Sequence, residues 1–154
     1  MSSMSAIAFV DSNILIYAHD LDAGVKRDRA VAKLRELWDT GTGRLSVQVL
    51  QEFFVNATQK LATPIARSTA REVIQAYGVW VRHATTVETV TRATEISDLA
   101  RISFWDALIV ASAEQAGADE LLSEDLSDGQ ALAGIKVVNP LKGLRAGLEV
   151  HDRR

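Results

Sequence analysis

Ala6-Ile7-Ala8-Phe9-Val10-Asp11-Ser12-Asn13 is the stretch whose reading decides the fold. Five apolar residues run without a break and stop at a carboxylate. A run this short and this uniformly apolar predicts a strand buried on both faces, as in a parallel sheet inside an α/β domain. In such sheets ligands bind beyond the carboxyl ends of the strands, where Asp11 falls. The same position suits a helix N-cap, because Asp is a favoured capping residue and a helical turn through Ile14 and Tyr17 follows. Position alone does not separate the two roles.

Outward from this strand, Ile14 to Ala18 reads as a short helical turn and His19 to Gly24 as a polar loop. Val25 to Thr40 reads as an amphipathic helix. Ala30, Val31, Leu34, Leu37 and Trp38 share one face, with Lys26, Arg27, Arg29, Lys33 and Glu36 largely opposite. Gly41 and Gly43 end it. Arg44-Leu45 is a short strand or its edge, and Ser46 is expected to cap a helix running to about Leu61. Thr63 is expected to cap, and Pro64 to open, a further helix whose body runs from Arg67 to Val81. Ala84 to Val87 is expected as a strand and Glu88 to Ala100 as a helix.

Ser103-Phe104-Trp105-Asp106 opens the most apolar helix, which Gly117 stops. Glu120 to Ser123 and Ile135 to Val138 read as strands on either side of an acidic loop, Glu124 to Gly129. Helices alternating with short apolar strands predict a three-layer α/β/α sandwich around a mainly parallel central sheet.

The 154 residues suggest one domain, placed at 6–141, followed by a tail at 142–154 that carries no readable pattern. Met1 to Ser5 reads as a loose lead-in, with Met4 an alternative start. Cysteine is absent, so any metal must be held by oxygen or imidazole. No apolar stretch approaches the ~18 residues of a membrane helix. No basic segment precedes a long apolar core, so a signal peptide is not expected and a cytoplasmic protein is. The net charge of −3 argues against a protein that holds nucleic acid by global electrostatics, and leaves room for local basic patches.

Four acids lie at strand ends or on helices near them: Asp11, Glu52, Asp106 and Asp125. Each has an ordinary reading. Glu52 fits a solvated helix face with Gln48, Asn56 and Gln59. Asp106 is spaced from Ser103 like a capping box and suits the helix dipole. Asp125 fits a turn. If the four converge, each pair at ~5 Å and an effective dielectric of ~20 costs about 3 kcal/mol. A divalent cation neutralises such a cluster, and oxygen donors favour Mg²⁺ or Mn²⁺. A water bound to the cation is then a nucleophile for phosphodiester hydrolysis. His19, His83 and His151 lack metal-ligand spacing.

Four segments together resemble the PIN-domain ribonucleases, and among them the toxins of VapBC-type toxin–antitoxin pairs. They are Phe-Val-Asp-Ser-Asn-Ile-Leu-Ile-Tyr at 9–17, Gln-Glu-Phe at 51–53, Ile-Ser-Phe-Trp-Asp-Ala-Leu-Ile at 102–109, and Leu-Leu-Ser-Glu-Asp-Leu at 121–126. The resemblance implies that Asp11, Glu52 and Asp106 are the principal acids and Asp125 the more variable fourth, with Asp128 the choice of a slightly different alignment. It implies Mg²⁺, with Mn²⁺ as substitute, held directly by Asp11 and Asp106 and through water or a second metal by Glu52 and Asp125. Ser12, Asn13 and Ser123 match positions that support the site by hydrogen bonding.

The resemblance also implies an RNA substrate, a homodimer, and a cognate antitoxin whose C-terminal segment lies across the acidic groove with a basic side chain. Lys60, Arg67, Arg71 and Arg101 are candidates to offset repulsion of RNA phosphates, although each also reads as an ordinary solvated helix charge. Two other functions stay open. One is a binding module that keeps the fold without catalysis. The other is an α/β phosphatase or phosphotransfer domain, against which stands Asn13, where haloacid-dehalogenase-like enzymes have a second Asp.

Overall fold

A computed structural model describes residues 6–144. The expectations for Met1 to Ser5, for His151 and for the tail beyond residue 144 lie outside the described residues. The opening stretch forms β1 (Ala8–Val10), buried throughout. It is the second strand of a five-stranded sheet in the order β2-β1-β3-β5-β4. The other strands are β2 (Gly43–Arg44), β3 (Glu120–Leu122), β4 (Ala131–Leu132) and β5 (Ile135–Val138). β1 pairs in parallel with β2 and β3, and β3 in parallel with β5. β4 alone is antiparallel, on the edge beside β5. Phe9, Val10, Leu121, Leu122 and Val137 are fully buried, because helices cover the middle of the sheet on both faces.

The helices are α1 (Ser12–Ala18), α2 (Val25–Thr40), α3 (Val47–Val55), α4 (Arg67–Tyr77), α5 (Val87–Ala100) and α6 (Phe104–Gln115). They pack in two groups. α1 lies against α2 and α3, and α3 against α4, whereas α5 lies against α6. Ala107 to Ala113 of α6 are buried without interruption, which explains why this helix lacks a polar face. The result is the α/β sandwich with a mainly parallel sheet. No helix among the described residues is long and apolar enough to cross a membrane.

Several elements depart from the sequence expectation. No strand forms at Ala84 to Val87. Instead Thr86 and Thr89 form a reciprocal capping box, and Val87 becomes the first residue of α5. Thr63 and Pro64 do not open α4, which starts at Arg67; the Thr63 hydroxyl donates to Asp22 at 2.9 Å. The helix expected to reach Leu61 widens after Val55 into a π-turn over Asn56–Lys60. β4 was not expected. Its connection to β5 needs positive φ at Ala133 and Gly134, and alanine gives no signal for that conformation.

Gly41 does end α2, in the left-handed region. Gly43 has another task. It lies in β2 under the Trp80 ring, where an added Cβ would come within 2.6 Å. Lys26 does not share the solvated face of α2: it is almost fully buried.

Candidate active site

Parallel pairing sets the geometry. Val10 is in register with Leu122, so the next residues, Asp11 and Ser123, leave the same sheet edge side by side. The Ser123 hydroxyl donates to Asp11 Oδ2 at 2.9 Å, and the Ser12 amide donates to Asp11 Oδ1 at 2.7 Å. Asp11 therefore both caps α1 and faces the end of β3. The two readings of its position are compatible.

Glu52 arrives from the other side, on the helix that follows β2. Its carboxylate accepts from the Ser12 hydroxyl at 2.8 Å and from Gln48 Nε2 at 3.1 Å. It is half-buried and tied to the neighbour of Asp11 rather than lying on a solvated face. Gln48 Nε2 also donates to the Trp105 carbonyl at 3.2 Å, which joins α3 to the first turn of α6 beside Asp106. A helix that feeds a strand of a parallel sheet runs opposite to it and so starts at the carboxyl edge. This brings the first turn of α6 to the site. Ser103 caps that turn, accepting from the Asp106 amide at 3.1 Å.

Asp125 stands on the loop after β3. Its amide donates to the Ser123 hydroxyl at 3.1 Å, and the amide of Glu124 donates to Asn13 Oδ1, also at 3.1 Å. Asn13 Nδ2 lies 3.5 Å from both Asp11 Oδ2 and Ser123 Oγ. Asp128 is engaged by other groups, the Asn139 amide at 2.8 Å and Lys142 at 3.1 Å, which hold its carboxyl below the usual range.

Burial pushes the Asp11 carboxyl up to about 7, against the lowering effect of its Ser123 and Ser12 hydrogen bonds; the charges of Asp125 and Glu52 raise it further. Partial burial also raises Asp106. The Ser103 hydroxyl opposes this rise and the Asp125 charge adds to it. Asp125 thus acts on both Asp11 and Asp106. No Lys, Arg or His among the described residues pairs with any of the four acids. The cluster has oxygen donors and no cation of its own, the chemistry that suits a hydrated Mg²⁺ or Mn²⁺. It is not a ready-made cage, since no three acidic or histidine side chains among the described residues close round one point. Mg²⁺ commonly takes one or two carboxylates and keeps its waters, so the donor set fits.

The PIN domain family model matches residues 8–127 of this chain. The chain belongs to the PIN-domain family. Solved structures with the same fold include a toxin–antitoxin complex from Klebsiella pneumoniae, at 22% identity and a TM-score of 0.62, covering 86% of this chain and 97% of that one. The sarcin–ricin-loop-cleaving toxin VapC20 of Mycobacterium tuberculosis is similar at 18% identity and a TM-score of 0.57, covering 83% and 98%. A third, FitAcB from Neisseria gonorrhoeae, shares 15% identity at a TM-score of 0.59, covering 88% and 99%. At these identities the likeness is one of fold. A search of curated proteins gave no match.

A hollow of about 520 Å³ adjoins the acids of this PIN domain, lined by Asn13, Tyr17, Asn56, Lys60, Glu124 and Asp125 among others. Lys60 is therefore the basic candidate beside the acids. Arg67 lies instead over the Phe54 ring at 4.8 Å, and Arg101 occupies the left-handed cap of α5. Two residues of the PIN domain's acidic edge escaped the sequence reading. Gln48, placed on a solvated face, is buried and links Glu52 to α6. Lys26, placed on another, forms a 2.6 Å ion pair with Glu124. The available signal was slight: a Gln four residues before Glu52, and a Lys at the start of an otherwise well-patterned helix. His19 packs edge-on against Phe53 and bonds the Leu15 carbonyl.

Proposed function

We propose that this chain is a metal-dependent endoribonuclease and the toxin of a toxin–antitoxin pair. The observation that carries the reading is the set of four acids at one sheet edge, where the charges of Asp125 and Glu52 act on Asp11 and that of Asp125 on Asp106, with no basic partner among the described residues. Asp11 and Asp106 would hold Mg²⁺ or Mn²⁺ directly, and Glu52 and Asp125 through water or a second ion. When bound, the ion supplies charge that offsets the carboxylates and lowers the pKa of water aimed at an RNA phosphodiester.

The chain's own groups prepare that chemistry. The Ser123 hydroxyl and Ser12 amide orient Asp11, and the Ser12 hydroxyl and Gln48 orient Glu52. Burial keeps Asp11 from relaxing toward bulk water. Lys60, which lines the adjoining hollow, would meet a substrate phosphate there.

The toxin–antitoxin complex from Klebsiella pneumoniae among the structures of the same fold supports a cognate antitoxin for this chain. An uncompensated acidic groove favours an inhibitor that inserts a basic side chain. A homodimer is part of the same proposal.

The test is RNA cleavage by antitoxin-free protein in Mg²⁺ or Mn²⁺. Chelation should abolish it. Asp11→Asn and Asp106→Asn should each lower the rate by at least ~10²-fold, the loss typical of a removed electrostatic stabiliser. Cleavage that survives in a clean Asp11→Asn preparation would overturn the reading.

A further inference from the structure

Asp125 is the exposed member of the acid set, and it sits on a loop rather than on a helix or strand. Even so, its charge reaches both Asp11 and Asp106. Something must fix that loop. Glu124, the residue before Asp125, turns its side chain the other way, to Lys26 on α2. The Nζ–Oε2 distance is 2.6 Å, and the two side chains are 2% and 16% exposed. The Lys26 ammonium also lies 5.0 Å from the centroid of the Tyr17 ring on α1. The pair therefore pins the loop to two helices at one point. The amides of Glu124 and Asp125 anchor it at a second, on Asn13 and Ser123, and both of these touch Asp11.

We infer that Lys26 is a positioning residue for the metal centre, acting through Glu124 to hold Asp125 against Asp11 and Asp106. A lysine that is nearly buried is costly to charge unless a partner repays the lost hydration. Glu124 is that partner, and the pairing also removes a fifth negative charge from a crowded edge. Breaking the pair frees Glu124 to swing out and Asp125 to drift away from the cluster. The inference rests on the proposed metal site and makes no use of the RNA target.

The test uses Lys26→Met, the double variant Lys26→Met/Glu124→Leu, and each combined with Asp125→Asn. The double variant leaves no buried charge unpaired, so it folds even if Lys26→Met does not. Two readouts are needed: Mn²⁺ affinity by calorimetry, and amide exchange at Glu124 and Asp125 in metal-free protein. We expect the double variant to melt near wild type, to bind Mn²⁺ ~10-fold more weakly, the effect typical of losing an outer partner of a metal ligand, and to exchange both amides at least ~10-fold faster. In an Asp125→Asn background the same change should leave Mn²⁺ affinity where Asp125→Asn alone puts it, because the two act on one group.

Wild-type affinity and exchange in the double variant would overturn the inference, as would additivity with Asp125→Asn. Failure of the ribonuclease reading would look different. Wild type would then bind Mn²⁺ without cutting RNA, while the effect on affinity and exchange still decided the role of Lys26.

Discussion

Asp11 concentrates the conflict in this molecule. It is buried, it faces two further acids, and the hydrogen bonds from Ser12 and Ser123 only partly compensate, so its carboxyl titrates at about 7 against an ordinary 3.8. Between those values the folded, metal-free chain keeps a proton that the unfolded chain has released. Stability therefore falls as pH rises through the window, and the loss is complete above the folded value, at about 4 kcal/mol for a shift of this size. In chelator, Asp11→Asn should gain on wild type in thermal melts as pH is raised from about 5 to about 8, and Mn²⁺ should restore wild type at the upper end. A gap between the two proteins that stays constant or narrows with pH would contradict the burial account. Ser123 is a small residue with a large share in this geometry. Its hydroxyl serves Asp11 and the Asp125 amide together; the resemblance implied a supporting hydrogen bond from Ser123 but not its two partners.

At the level of elements, legibility followed burial. β1, β3 and β5 were readable because central parallel strands must be apolar on both faces, and α2 kept its expected limits because its apolar stripe and the left-handed Gly41 agree. The errors fell where local chemistry overruled pattern. Thr86 and Thr89 cap α5 and so deny a strand at Ala84 to Val87. Ala133 takes a positive φ that nothing in its side chain announces. Gly43 looked like helix punctuation, yet it is where Trp80 comes down on the edge strand. Trp80 is itself locked by Trp38 and Tyr77, at centroid distances of 4.7 and 4.9 Å. The ring has no room to yield, so Gly43→Ala should cost about 1–3 kcal/mol in denaturant melts. The same substitution at Gly78, where an added Cβ meets nothing within 4 Å, is the control. Equal effects at both positions would remove the packing argument.

On the scale of the whole molecule, the acidic edge is a consequence of topology. Strands β1 and β3 end in register, α3 starts just after the end of β2, and α6 begins at the carboxyl edge because it runs back to feed β3. Residues far apart in sequence thus meet without any local motif that requires it. This is why the acids were recognisable as a set, with Ser12, Asn13 and Ser123 beside them, through resemblance and order, while Gln48 and Lys26 were not. Gln48 and Lys26 are polar residues inside helices, and only the packing of those helices shows that they point inward.

The proposed divalent-cation site is these four carboxylates, and its proposed reaction is the cutting of RNA. Its most direct test is calorimetric titration of Mn²⁺ into the antitoxin-free protein and into Asp106→Asn, with RNA cleavage followed on the same samples. Binding and cleavage are expected in the wild type, and the loss of both in the variant. Cleavage by the wild type that persists in Asp106→Asn, or without any divalent cation, would contradict it.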